Sequence, residues 1–165
     1  MVIKTASQKE INVIQSIAHR TWPVAYADIL SKAQLEYMLR MMYSAEALDR
    51  NFENGVRFIL AQQDDLSYGF AGFEYQPEKG NRTHIHKIYV LPEAQGRYVG
   101  KALMDYIENW AKEVGSDLLT LNVNRHNKAL HFYLKHGFEI LETVNIAIGN
   151  GYLMEDYVMG KRLSR

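Results

Sequence analysis

VLPEAQGRYVGKAL, residues 90–103, starts as the end of an apolar strand and finishes as the start of an amphipathic helix. Between them lie Gly96 and Gly100, flanked by Arg97 and Lys101. Amides at a helix N-terminus lack internal acceptors and, with the helix dipole, favour an anion, phosphate above all. Glycine lets a ligand approach the backbone closely. The stretch therefore reads either as a phosphate-holding joint or as a turn whose glycines serve the chain alone.

The flanking segments have clear periods. After the joint, Val99, Leu103, Tyr106, Ile107, Trp110, Ala111 and Val114 form one helical stripe, and Gly115 ends it. Before it, RTHIHKIYVL reads as a strand. Strict alternation would put Ile85, Lys87, Tyr89 and Leu91 on one face, with His84, His86, Ile88 and Val90 on the other. VRFILAQQ and LSYGFAGFEYQ read as two earlier strands separated by Asp64-Asp65, with PEKGN a loop. Downstream come the strand DLLTLNV, a short helix over 127–136 closed by Gly137, and two strands within FEILETVNIAI and EDYVMGKRL.

The N-terminal part is helical after a short strand over 1–5. Ser7 and Glu10 have capping-box spacing, and Ile11, Ile14, Ile17 and Ala18 follow on one face. Pro23 is expected to break that helix. Ser31 and Gln34 suggest a second capping box ahead of Leu35, Met38, Leu39 and Met42. A third helical piece spans 45–54, closed by Asn54-Gly55. Antiparallel strands followed by a strand–helix–strand crossover predict a mixed sheet in a single α+β domain over 1–165.

Composition narrows the function. Lys+Arg and Asp+Glu number 19 each, so no net field draws the chain to nucleic acid or an anionic membrane. There is no cysteine, which removes disulfides, thiolate metal sites and a thiol nucleophile. No stretch reaches the roughly 18 apolar residues of a membrane span, and the N-terminus lacks the apolar run of a secretion signal. A cytoplasmic protein is expected.

Two phosphate motifs fail at the joint. A P-loop needs four positions between its first glycine and its Gly-Lys pair, with a hydroxyl after the lysine. Gly96 and Gly100 are one residue too close, and Ala102 stands at the hydroxyl position. The Gly-x-Gly-x-x-Gly dinucleotide spacing fails too.

A third pattern fits. HKIYVLPEAQGRYVGKALMDYIENWAKE resembles the acetyl-CoA-binding segment of the GNAT N-acetyltransferases. There a strand ending Val-x-Pro leads to Gln or Arg, two residues, Gly, one residue, then Gly or Ala. Gln95 and Gly100 match the ends and Gly96 a frequent second glycine, while Tyr98 stands at the usual middle glycine. NVNRHNKALHFYLKHGFEI resembles the later segment, with Ala129, Tyr133, Lys135, Gly137 and Phe138 in register. Asn127 precedes Ala129 by two residues rather than three.

The resemblance implies a mostly antiparallel mixed sheet of seven strands with helices on both faces, and acetyl-CoA as co-substrate without a metal. It implies that Ile88, Tyr89 and Val90 bind the pantetheine arm and polarise the thioester carbonyl. Gln95, Gly96, Arg97, Tyr98, Val99, Gly100 and Lys101 would cradle the pyrophosphate, Asn127 would contact the cofactor, and Tyr133 would protonate the departing thiolate. RTWPVAYADILSKAQLEYML and IGNGYLMEDYVMGKRL resemble a bacterial branch, some of whose members acetylate polyamines.

His84, with His86 beside it, and Glu74 on the preceding strand are candidates for the group that takes the amine proton. His126 and His131 read as surface residues. Trp22, Tyr26 and Glu36 are candidates for the acceptor pocket, and Asp28, Glu46 and Asp49 add negative charge nearby. The expected reaction is direct attack by a small primary amine in a ternary complex. The alternatives are a protein or peptide N-acetyltransferase and an acyl-CoA sensor without turnover. The last strands offer a surface for homodimer formation.

Overall fold

The computed structural model describes residues 1–164. In chain order it has β1 (Val2–Ala6), α1 (Ile11–Ala25), α2 (Lys32–Tyr43), α3 (Ala45–Glu53), β2 (Arg57–Gln63), β3 (Leu66–Gln76) and β4 (Arg82–Val90). Then follow α4 (Val99–Glu113), β5 (Leu118–Asn124), α5 (Ala129–Lys135), β6 (Glu139–Ala147) and β7 (Leu153–Arg162). The strands form one seven-stranded sheet in the order β1-β2-β3-β4-β5-β7-β6. Among the described residues only β4 and β5 run parallel, because α4 carries the chain back between them. This is the α+β architecture expected.

Helices cover both faces. A Cβ on Gly69 would meet Val99 and Leu103 of α4. Gly72, three residues along the same strand, faces the opposite side, where Phe58 stacks on Phe52 of α3. Two layers of core result. Trp22, Leu39, Tyr43, Phe58 and Phe70 lie under α1–α3, with Ile59, Phe73, Leu103 and Ile107 under α4.

Three local expectations change. Pro23 lies inside α1 rather than ending it. It sits in the last turn, so the single bond it cannot make would run to the carbonyl of exposed His19. The helix closes at Tyr26, whose amide bonds to the Trp22 carbonyl at 2.9 Å. The second capping box is only half made. Ser31 accepts from the Gln34 amide, but the Gln34 side chain donates to the Leu153 carbonyl at 2.9 Å, a tertiary bond unavailable to local reasoning.

The third change matters most for the site. The pairing of β3 with β4 shifts register between Gly72 and Phe73, leaving His86 as the extra residue of a bulge. Strict alternation therefore fails. His86 contacts both His84 and Glu74, while Lys87 lies over the Tyr43 ring and Tyr89 packs on Trp22. His84, His86, Lys87 and Tyr89 thus share the face under α1–α3, and Val90 points toward Gly100 of α4.

Candidate active site

The parallel pairing of β4 with β5 runs only from Arg82↔Leu118 to Ile85↔Leu121. Beyond it, β4 continues to Val90 against β3, and β5 continues to Asn124 against β7. A wedge opens in the middle of the sheet, edged by the backbone of Ile88, Tyr89 and Val90.

Below the wedge a 3-10 turn, Pro92–Ala94, leads into α4. The amides of Gln95 and Arg97 bond to the carbonyls of Pro92 and Ala94. Among the described residues, no partner is found for the amides of Gly96, Tyr98, Val99, Gly100 and Lys101. The donors free for a phosphate are thus fewer than the full run from Gln95 to Lys101. Gly96 has φ +81°, and open space surrounds its missing Cβ. Gly100 has a packing role, since a Cβ there would lie 3.2 Å from Phe132 of α5. Tyr98 adopts the left-handed region at φ 63°, where a glycine would be unstrained. Its side chain is 79% exposed, so it leaves the amides uncovered. Arg97 lies over the Tyr68 ring and donates to Gln63 at 3.0 Å, while Lys101 pairs with Asp105.

On the α1–α2 side of the sheet is a pocket of about 80 Å³. Trp22, Tyr26, Met38, Met42, Leu153 and Met154 give it apolar walls, with His86, Asn122, Asn124 and Asp156 as polar groups. Trp22 and Tyr26 do share a helix face across Pro23, with ring centroids 4.8 Å apart. Glu36 is exposed and absent from this lining, because Gln34 and Met38 on either side of it turn inward at helical spacing. Asp28 and Glu46 are exposed as well, and Asp49 is half-buried outside the pocket.

The two strand histidines differ. His84 Nδ1 is 2.7 Å from the Thr120 hydroxyl, and burial pushes its pKa down to about 3. His86 Nε2 is 2.8 Å from Glu74 Oε1. Burial lowers the His86 pKa, against the upward pull of the Glu74 carboxylate, while His86 and Gln76 hold Glu74 below the usual carboxylate range despite burial. His126 and His131 are exposed. Among the described residues, no three of His, Asp and Glu cluster as a metal site would require.

Neutral His84 couples folding to pH. The unfolded chain takes up this proton below about pH 6.5 and the folded chain only near 3, so stability falls as pH drops through that window. Urea midpoints measured from pH 7 to pH 4 are expected to decline in the wild type and less steeply in His84→Gln. Parallel slopes in the two proteins would refute this assignment.

Tyr133, on α5, is 7% exposed, and burial raises its pKa. Its neighbours include Tyr26, whose hydroxyl is 3.0 Å from that of Tyr89 and lies beside Asn127 and Asp156. Asn127 also caps the entry to α5, its Oδ1 accepting from the Ala129 amide at 2.9 Å. Asp156 was not among the residues picked out in the sequence. It is 4% exposed, and desolvation raises its pKa. One signal was available: Asp156 sits in strand register with Met154 and Val158, while Glu155 next to it faces out.

Known proteins resemble this chain in sequence and fold. The profile of the acetyltransferase (GNAT) family matches residues 12–138. A spermidine N(1)-acetyltransferase of Thermoplasma acidophilum is 26% identical over 159 residues, 93% of this chain and 94% of that one. An aminoalkylphosphonate N-acetyltransferase of Salmonella typhimurium is 28% identical over 115 residues, 67% of this chain and 72% of its own. The crystal structure of the PaiA N-acetyltransferase of T. acidophilum in complex with coenzyme A superposes with a TM-score of 0.81 at 26% identity, covering 98% of this chain and 99% of that one. With its split sheet and its unpaired loop amides, the chain belongs to the GNAT family of acetyltransferases, enzymes whose co-substrate is acetyl-CoA.

Proposed function

We propose that the enzyme acetylates a primary amine of a small molecule, a polyamine or a similar alkylamine, by direct attack within a ternary complex. The observation that carries this reading is the end of β4–β5 pairing at Ile85↔Leu121. It puts free backbone, loop amides and a narrow pocket around one opening. The free amides of Gly96 and residues 98–101 suit the pyrophosphate of acetyl-CoA, and the edge of Ile88, Tyr89 and Val90 that faces away from β3, past the end of the β5 pairing, suits its pantetheine arm and thioester carbonyl.

His86, oriented by Glu74, is the proposed base, and His84 the residue that packs against it. A carboxylate only accepts hydrogen bonds, so Glu74 keeps a proton on Nε2 of His86 and leaves Nδ1 free to take one from the amine. The amine nitrogen then bonds to the carbonyl carbon, the C–S bond breaks, the sulfur takes the Tyr133 proton, and the surplus proton on the new amide nitrogen returns to the Tyr133 oxygen. A raised pKa keeps that proton on Tyr133 throughout the neutral range.

Two contacts support a small acceptor over a protein one. Tyr37 Oη donates to the Ile148 carbonyl at 2.6 Å, and Gln34 ties Leu153 to the same helix. The β6–β7 connection is thereby held on α2, beside a pocket too narrow for an extended peptide. The spermidine activity of the Thermoplasma relative points the same way. A cytoplasmic location and a homodimer formed at the exposed edge of β6 complete the proposal.

Calorimetry with acetyl-CoA, followed by thiol release with a panel of amines and peptides, tests the reading. Small amines should be turned over and peptides should not. Acetyl-CoA binding without turnover of any amine would favour the sensor. The pH profile tests the base. Burial holds the His86 pKa below 6.5, so kcat/KM should fall only as pH drops through that lowered value. Glu74→Gln removes the upward pull and should move this limb to lower pH. His86→Gln should lower kcat about 10²-fold or more. A limb that stays in place in both variants would eliminate His86 as the base.

A further inference from the structure

Asp156 has a place in the pocket that the chemistry above leaves unused. It stands on β7 opposite Asn124 of β5 and Val144 of β6. Among the described residues, no Lys or Arg pairs with its carboxylate; the nearby Arg125 reaches Glu155 and Asn145 instead. The other polar groups of the lining are amides and hydroxyls, together with His86, which burial keeps neutral at pH 7. Among the described residues, Asp156 is the single acidic residue in that lining, and the amide of Asn122 hydrogen-bonds it. A carboxylate held this far from water is costly unless a cation joins it. Asn122 hydrogen-bonds the carboxylate and Arg125 acts on it only from a distance, so it lacks a directly paired cation, which a ligand can bring.

Position decides which part of the ligand that is. His86 is on β4 and Asp156 on β7, with β5 between them. Two strand spacings of ~4.8 Å put the strands on the order of 10 Å apart, and the wedge widens this further. With the two groups on strands so separated, the geometry favours one nitrogen at each. A chain with two nitrogens separated by a few methylenes can reach both, with its hydrocarbon along Trp22, Met38 and Met154.

We propose that Asp156 binds a second, non-reacting ammonium of the acceptor, so that the enzyme selects alkyl diamines and polyamines over monoamines. The inference rests on the acetyltransferase reading and assigns the far end of the same pocket. The reacting nitrogen loses its proton at His86, while the other remains charged at Asp156. Charge, rather than shape alone, then separates a diaminoalkane from the alkylamine of equal length.

The test compares α,ω-diaminoalkanes with the corresponding n-alkylamines on wild type, Asp156→Asn and Asp156→Glu. Wild type should show a kcat/KM at least tenfold higher for the diamine. In Asp156→Asn that preference should shrink about 10–100-fold, mainly through the KM of the diamine. Asp156→Glu should restore part of it. Calorimetry with acetyl-CoA checks that each variant is folded. The proposal fails if wild type shows no diamine preference, a comparison that needs no variant. It also fails if Asp156→Asn lowers kcat equally for both amines, which would make Asp156 part of the proton chemistry. If no amine is acetylated, the activity reading fails separately. Calorimetric binding of the diamine to the CoA complex, wild type against Asp156→Asn, then still decides the anchor: equal affinities overturn it.

Discussion

Tyr133→Phe is expected to lower kcat about 10²–10⁴-fold while acetyl-CoA affinity stays within about threefold. The ring of Tyr133 packs edge-on against Phe132 and Phe138, at centroid distances of 5.5 and 6.0 Å. Phenylalanine keeps those contacts. Among the described residues, no side-chain hydrogen bond to the Tyr133 hydroxyl is seen, and its pKa is moved by burial and by Tyr26. Folding and cofactor binding should therefore survive, and the loss should fall on the step in which the sulfur takes a proton. Single-turnover thiol release, read beside calorimetric acetyl-CoA binding, separates the two. A variant with wild-type turnover would show that another group protonates the sulfur.

Gly69→Val should cost about 2–3 kcal/mol of stability and lower Tm by about 5–10 °C. A Cβ at Gly69 would lie 2.9 Å from the Tyr89 carbonyl oxygen, 3.1 Å from Val99 and 3.3 Å from Leu103. The first of these is backbone, which cannot rotate away as a side chain can. Because Gly69 pairs with Val90, the displacement would fall on the part of β4 that edges the wedge. Acetyl-CoA affinity should drop at least tenfold along with the melting temperature. Thermal melting and calorimetry on the same preparation check both. A Tm within 2 °C of wild type would mean that the sheet yields locally at no cost, which the contact distances argue against.

Short-range chemistry made much of this protein legible in one dimension. The stripe from Val99 to Val114 has a period of 3.6 residues whatever surrounds it, and the joint before it carries its glycines at fixed spacing. The strand order β2, β3, β4, α4, β5 follows from alternating periods and turn residues, and it entails the parallel crossover that splits the sheet. Tyr133 and the loop from Gln95 to Lys101 could be named because each motif lies within one local element.

What the sequence could not contain was which elements meet. Pro23 looked like a helix end, since the cost of a lost bond depends on where in the helix the loss falls. Gln34 looked like a cap until Leu153, 119 residues away, offered its carbonyl. Lys87 and Tyr89 joined His84 and His86 on one face because a bulge depends on the register of two strands, and register is a property of the pair. Glu36 looked inward on charge alone, while Asp156, in a plain alternating strand, went unnoticed. The proposed acceptor pocket draws its walls from α1, α2, β4, β5 and β7, and no window of sequence holds more than a few of those residues. The sequence by itself determined the elements and the cofactor loop, because those depend on neighbours along the chain. The tertiary structure decided the proposed acceptor pocket, because burial of Asp156 and the pairing of His86 with Glu74 exist only once distant strands are paired.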